Sequence, residues 1–228
     1  GIPRMTQTTT GPKTPGQTRL DNVAPWLPAA AFFIVAVASL LLYLDSRPPG
    51  DDSDEAGFAR DMMVHHAQAV QMAELARDKT EDPTIRTMAG DMALTQQAQI
   101  GQMQGWLNIW GLPITGPEPA MAWMGHDLEG RMPGMASPEE IDELATASPE
   151  EADEIFLRLM IPHHEAAIPM SEAVLETTDE PAVRQLAEAI AISQEAEINV
   201  MENMLQAMGE EPPESQSMDH AGHEGHDH

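Results

Sequence analysis

Sliding the chain by ninety-eight positions aligns residues 58–111 with 156–209 without a gap, and about a third of the aligned positions are identical. Phe58/Phe156, Arg60/Arg158, Pro83/Pro181, Gln96/Gln194, Met103/Met201 and Gly111/Gly209 are among the matches. An ungapped repeat of this length is one supersecondary unit used twice, and that narrows the possible folds more than any other feature of the chain.

The unit reads as a helical hairpin. Apolar residues recur at helical spacing through 56–79 and 83–109, and again through 149–177 and 181–208. Pro83 and Pro181 suit the first helical position, where a missing N–H costs nothing. Gly111 and Gly209 suit the left-handed position that closes a helix. Ser148-Pro149-Glu150-Glu151 reads as a capping box, and Ser137 caps a short helix over 138–146. Strand signals are absent. The expectation is an all-α domain over 56–210, a duplicated helical hairpin with a long Met-rich crossover (112–148), joined as a ferritin-like four-helix bundle.

Each copy carries a methionine followed by paired histidines, "MMVHH" at 62–66 and "MIPHH" at 160–164. At about 100° per residue, Phe58, Met62, His65, Ala69 and Met72 share one helix face, with His66 on its flank. Phe156, Met160, His163, Ala167 and Met170 repeat the stripe with His164 beside it, and Pro162 and Pro169 fall on the opposite side. Taken singly, the methionines read equally well as core. Four imidazoles near one core are costly to bury without partners, which points to a use. The duplication could have copied a structural pair, so the two copies count as one observation.

Composition narrows the use. The chain has no cysteine, which excludes disulfides, thiolate metal sites and iron–sulfur clusters. It has 17 methionines against 4 Phe and 1 Tyr, an excess that invites soft-metal ligation as a second explanation. A formal net charge of −27 argues against nucleic acid and anionic lipid surfaces as partners and favours cations. The crossover adds Met121, Met124, His126, Met132 and Met135 in a stretch without an apolar period, where thioethers are harder to explain as core. The tail, 211–228, is expected to be disordered and places Met218, His220, His223, His226 and His228 within eleven residues, a composition typical of metal capture.

Residues 26–44, "WLPAAAFFIVAVASLLLYL", carry no charge and approach the roughly 20 residues needed to span a bilayer. Arg4, Lys13 and Arg19 precede the run, while Asp45, Asp51, Asp52, Asp54 and Glu55 follow it. The positive-inside rule then predicts a cytoplasmic segment 1–25, a single-pass anchor 26–44 in the cytoplasmic membrane, a linker 45–55 and an extracytoplasmic bundle. A cleaved signal peptide is the rival, because Ala36-Val37-Ala38 is a small-x-small site, but "LLLYL" carries the apolar run past it.

"FLRLMIPHHEAAIPMSE", preceded by "GRMPGMASPEEIDEL", closely resembles the domain-of-unknown-function family 305 across about residues 57–210. The resemblance implies an exported or membrane-anchored bacterial protein of ferritin-like helical fold, in a group that includes a copper-binding member. It implies copper ligation by His65, His66, His163, His164 and their methionine neighbours. The first copy departs from the family signature, with Val64 where proline is typical.

A ferritin-like bundle also raises di-iron chemistry, which needs Glu-x-x-His on two helices. Here the position three before each histidine holds Met62, Met63, Met160 or Ile161, never an acid. Thioether and imidazole suit Cu(I), and imidazole also serves Cu(II), so copper is favoured over iron. The expectation is a membrane-tethered copper-binding protein without catalytic residues, which sequesters copper or passes it to a copper-handling partner. The alternatives are a structural or partner-docking bundle without a metal site and a ferritin-like metal-dependent oxidoreductase.

Overall fold

The computed structural model describes residues 1, 11, 26–45, 47–126, 128 and 130–214, with residues 44 and 45 described in backbone only. The expected segments 1–25 and 211–228 therefore fall largely outside the described residues, and with them Met218, His220, His223, His226 and His228. Contacts divide the chain into two units, Gly1–Arg47 and Pro48–His228. Among the described residues there are six α-helices and no strands.

In the first unit, α1 spans Leu27–Asp45. Its large apolar side chains, Phe32, Phe33, Ile34, Leu41 and Leu42 among them, are exposed along its length. Among the described residues no helix is long and apolar enough to cross a membrane. The run read from the sequence as an anchor is thus seen as a helix, not as an established span.

The second unit consists of α2 (Asp54–Lys79), α3 (Pro83–Trp110), a 3-10 turn (Ala122–Met124), α4 (Pro138–Thr146), α5 (Pro149–Thr177) and α6 (Pro181–Met208). α2 starts inside the stretch read as linker, because the Ser53 side chain accepts a hydrogen bond from the Ala56 N–H at 3.2 Å and so caps it. Asp82 caps α3 by accepting from the N–H groups of Thr84 and Ile85, and Pro83 and Pro181 occupy first helical positions. Ser137 with Glu140 and Ser148 with Glu151 form capping boxes. Both hairpins close on left-handed glycines, Gly111 (φ 73°) and Gly209 (φ 87°). α5 runs unbroken through Pro162 and Pro169, both half-buried.

The repeat extends to tertiary contacts. Arg60 donates to the Pro113 carbonyl beyond α3, and Arg158 donates to the Glu211 carbonyl beyond α6, again ninety-eight residues on. Arg86 and Arg184 likewise donate to the carbonyls of Thr80 and Thr178 in the hairpin turns. α2 packs on α3, α5 packs on α6, and the hairpins join along α2 and α5, with α4 lying against both. The core is two clusters. One gathers Met72, Ile85, Met92, Phe156, Met160 and Met201, and the other gathers Phe58, Met62, Met103, Leu107, Met170 and Ile190.

Candidate metal centre

A polar belt separates the two clusters. On α2 the cluster residues stop at Met63 and resume at Ala69, leaving His65 and His66 between them. On α5 the gap between Ile161 and Ala166 holds His163 and His164. α3 contributes Gln96 and Gln99 between Ala93 and Met103, and α6 contributes Gln194 and Glu197 between Ile190 and Met201. All four histidines are 0% exposed. Met62 and Met160 stand one turn before the histidine pairs, and Met72 and Met170 lie further along the same helices, all four fully buried.

The rings of His65 and His163 lie 3.8 Å apart between centroids and tilted by 34°, at the point where α2 meets α5. The His163 and His164 rings are 6.3 Å apart. Every Nε2 has an oxygen acceptor. His163 donates to the His65 carbonyl at 3.0 Å, His65 to the Pro133 carbonyl at 3.3 Å, His66 to Gln99 Oε1 at 2.8 Å and His164 to Glu197 Oε2 at 2.7 Å. Carbonyl and carboxylate oxygens can only accept, so these bonds fix the proton on Nε2. In a neutral ring so bonded, Nδ1 carries the lone pair. All four Nδ1 atoms are buried without a hydrogen-bond partner, and so are both amide atoms of Gln96 and Gln194.

An unsatisfied buried polar group costs about 1–3 kcal/mol. Burying a large apolar side chain gives about 1.5–3 kcal/mol, so the flanking clusters can sustain the belt, but the belt does not stabilise the fold by itself. Burial, reinforced by neighbouring imidazoles, pushes His65 down to about 4 and His66 down to about 3, and it holds His163 well below the ordinary histidine range. These rings are neutral at physiological pH, the form in which imidazole ligates a metal. Their Nε2–H bonds fix the orientation of the rings, as outer hydrogen bonds do for histidines that ligate a metal. Among the described residues no three His, Cys, Asp or Glu side chains are grouped to hold one ion. The donors beside the imidazoles are thioethers, which suit Cu(I).

The crossover closes over the belt and breaks its symmetry. The repeat-equivalent of the His163 bond would run from His65 to the His163 carbonyl, but His65 turns to Pro133 instead. Gln68 holds this segment by exchanging two hydrogen bonds with the backbone of Ala136, at 2.9 and 2.7 Å. Gly134 (φ 71°) lies so close to α5 that an added Cβ would meet the Pro162 oxygen at 2.4 Å. Met132 and Met121 pack into the core cluster, so these two thioethers are not loop donors in solvent. The backbone N–H of Met121 and the Trp123 indole hold that stretch by donating to Asp61, whose carboxyl burial pushes up. Met124 and Met135 are half-buried, and His126 is exposed.

Taken singly, four members of the belt carry no functional signal in the sequence. Gln96 and Gln194 were visible as a repeated pair, yet a glutamine on a helix carries no signal of burial. Gln99 and Glu197 differ between the copies. The available signal was their register, thirty-three residues after His66 and His164 in both repeats.

An all-α protein built from a duplicated helical hairpin, with paired histidines facing each other inside it, is the class that the fold and the belt define. The sequence profile described as domain of unknown function (DUF305) matches residues 55–205, and the chain belongs to that family. A DUF305 protein of Streptomyces coelicolor, described as secreted, superimposes with a TM-score of 0.69 at 40% identity, covering 72% of this chain and 99% of the other. CopM in its Cu(I)-bound form matches at 30% identity and a TM-score of 0.54, and in its Cu(II)-bound form at 34% and 0.56, each covering 68% of this chain and 97% of CopM. A curated relative, the uncharacterized protein L153 of Acanthamoeba polyphaga mimivirus, is 48% identical over 50 residues, 22% of this chain. The matched stretch spans about a third (33%) of that viral protein.

Proposed function

We propose that this protein binds copper through the Nδ1 atoms of His65, His66, His163 and His164 together with the thioethers of Met62, Met72, Met160 and Met170, and that it sequesters or transfers the ion without catalysing a reaction. The observation that carries the reading is the set of four buried Nδ1 atoms without a hydrogen-bond partner, each on a ring oriented through Nε2. The likeness to CopM, solved with Cu(I) and with Cu(II), supports the choice of metal.

The proposal extends to an extracytoplasmic bundle tethered by residues 26–44. The uncharged run, the basic residues before it and the acidic residues after it support the tether, and the secreted description of the Streptomyces relative supports export. The test of copper binding is metal content by mass spectrometry after loading the full chain with copper and dialysing it. Stoichiometric copper is expected, and a metal-free protein overturns the reading. The test of topology is external protease on spheroplasts, which should digest the bundle; protection overturns the tether.

A further inference from the structure

The belt is symmetric in its histidines but not in its charge. His66 donates to the neutral amide of Gln99, whereas His164 donates to the carboxylate of Glu197. These partners are repeat equivalents in local sequences that share four of eight positions, "QQAQIGQM" against "QEAEINVM". The remaining two histidines donate to backbone carbonyls, so Glu197 is the one carboxylate hydrogen-bonded to a belt imidazole among the described residues. Its side chain is 32% exposed while His164 is fully buried. It borders a cavity of about 620 Å³ lined also by Pro83, Thr87, Met88, Asp91 and Val200. One side of the carboxylate therefore meets solvent while the other holds the buried ring.

We infer that Glu197 is a positioning residue that biases the His164 half of the belt toward Cu(II), whereas Gln99 leaves the His66 half neutral and better suited to Cu(I). The inference rests on the copper reading. A carboxylate on the far nitrogen raises the basicity of the ligating nitrogen of an imidazole. A fixed negative charge also attracts a doubly charged ion twice as strongly as a singly charged one at the same distance. The carboxylate is hydrogen-bonded to His164, whereas His66 meets a neutral amide in the equivalent place. The two halves of the belt, though copied from one unit, then weigh differently on the two oxidation states of one bound ion.

The test uses the full-length chain with His220→Ser, His223→Ser, His226→Ser and His228→Ser, so that the tail does not compete. Cu(I) and Cu(II) affinities are measured by competition with chelators selective for each state, with and without Glu197→Gln. The glutamine can still accept the hydrogen bond from His164, so only the charge is lost. Changes to the outer hydrogen bond of a ligating histidine alter metal affinity by roughly 10–100-fold. Glu197→Gln should weaken Cu(II) about tenfold with Cu(I) nearly unchanged, which raises the reduction potential of the bound copper by about 59 mV. Gln99→Glu should shift the His66 half the opposite way, and it decides the matter should Glu197→Gln fail to fold. Equal losses for both ions, or no change in either, overturn the assignment while leaving copper binding intact. A parent chain that binds neither ion overturns the copper reading and this inference with it.

Discussion

His163 donates its Nε2–H to the backbone carbonyl of His65 at 3.0 Å while the two rings lie 3.8 Å apart. One contact thus ties the repeats together at the level of their histidines, so the pairs belong to one belt and not to two separate hairpins.

Removing either pair should therefore disable most of the bundle's copper binding. His163→Ala with His164→Ala is expected to lower copper affinity at least tenfold, about 1.4 kcal/mol. The same change at His65 and His66 should do likewise, and the two effects should not add. Titration of a chain lacking residues 215–228 checks this, and additive half-losses would show that each hairpin binds alone.

Met160→Leu keeps volume and apolarity in a site that is 0% exposed, so it should cost less than about 1.5 kcal/mol of stability. It should weaken Cu(I) more than Cu(II), because only the soft ion prefers a thioether. Denaturant unfolding and the two competition titrations separate these effects. Equal affinities in mutant and parent would make Met160 a packing residue only.

Acid should destabilise the metal-free bundle. In the unfolded chain histidine titrates near 6.5, whereas burial lowers His65 to about 4 and His66 to about 3. Between those values the unfolded chain holds protons that the folded chain refuses, so stability is full above pH 6.5 and falls as the pH drops toward 4 and then 3. Each such histidine contributes a slope of up to about 1.4 kcal/mol per pH unit. Urea midpoints from pH 7.5 downward should show this loss, and bound copper should move its onset. A midpoint flat to pH 5 would mean that the rings reach solvent.

Gly134→Ala should unseat the crossover. The residue sits at φ 71°, and the new Cβ would meet the Pro162 oxygen at 2.4 Å, the Ala166 Cβ at 2.7 Å and the His163 Cα at 3.0 Å. The left-handed conformation alone costs about 1–2 kcal/mol for a non-glycine residue. The mutant should lose thermal stability and the hydrogen bond from His65 to Pro133. Hydrogen exchange of the crossover reports the first effect, and the His65 ring-nitrogen shifts report the second.

The repeat, the helix ends and the inward stripe were legible in the chain because each depends on residues a few positions apart. A capping serine, a proline at the first turn and apolar positions at helical spacing act locally, whatever the rest of the molecule does. The histidines' neighbourhood was not legible in the same way. Met121 and Met132 read as loop thioethers, yet they are 1% and 6% exposed, because the crossover folds down onto α2 and α5. Whether the two histidine pairs meet depends on how one hairpin lies on the other, which no local pattern encodes. A duplicated all-α unit with soft, nitrogen- and sulfur-bearing faces and no acid three residues before its histidines follows from local patterns alone. The packing of these faces along α2 and α5, the placing of Gln99 against His66 and of Glu197 against His164, and the four unpartnered Nδ1 atoms arise from tertiary contacts. The difference is one of range: helix formation is settled within a turn or two, whereas an unpartnered buried atom is defined by what every neighbouring helix fails to offer it.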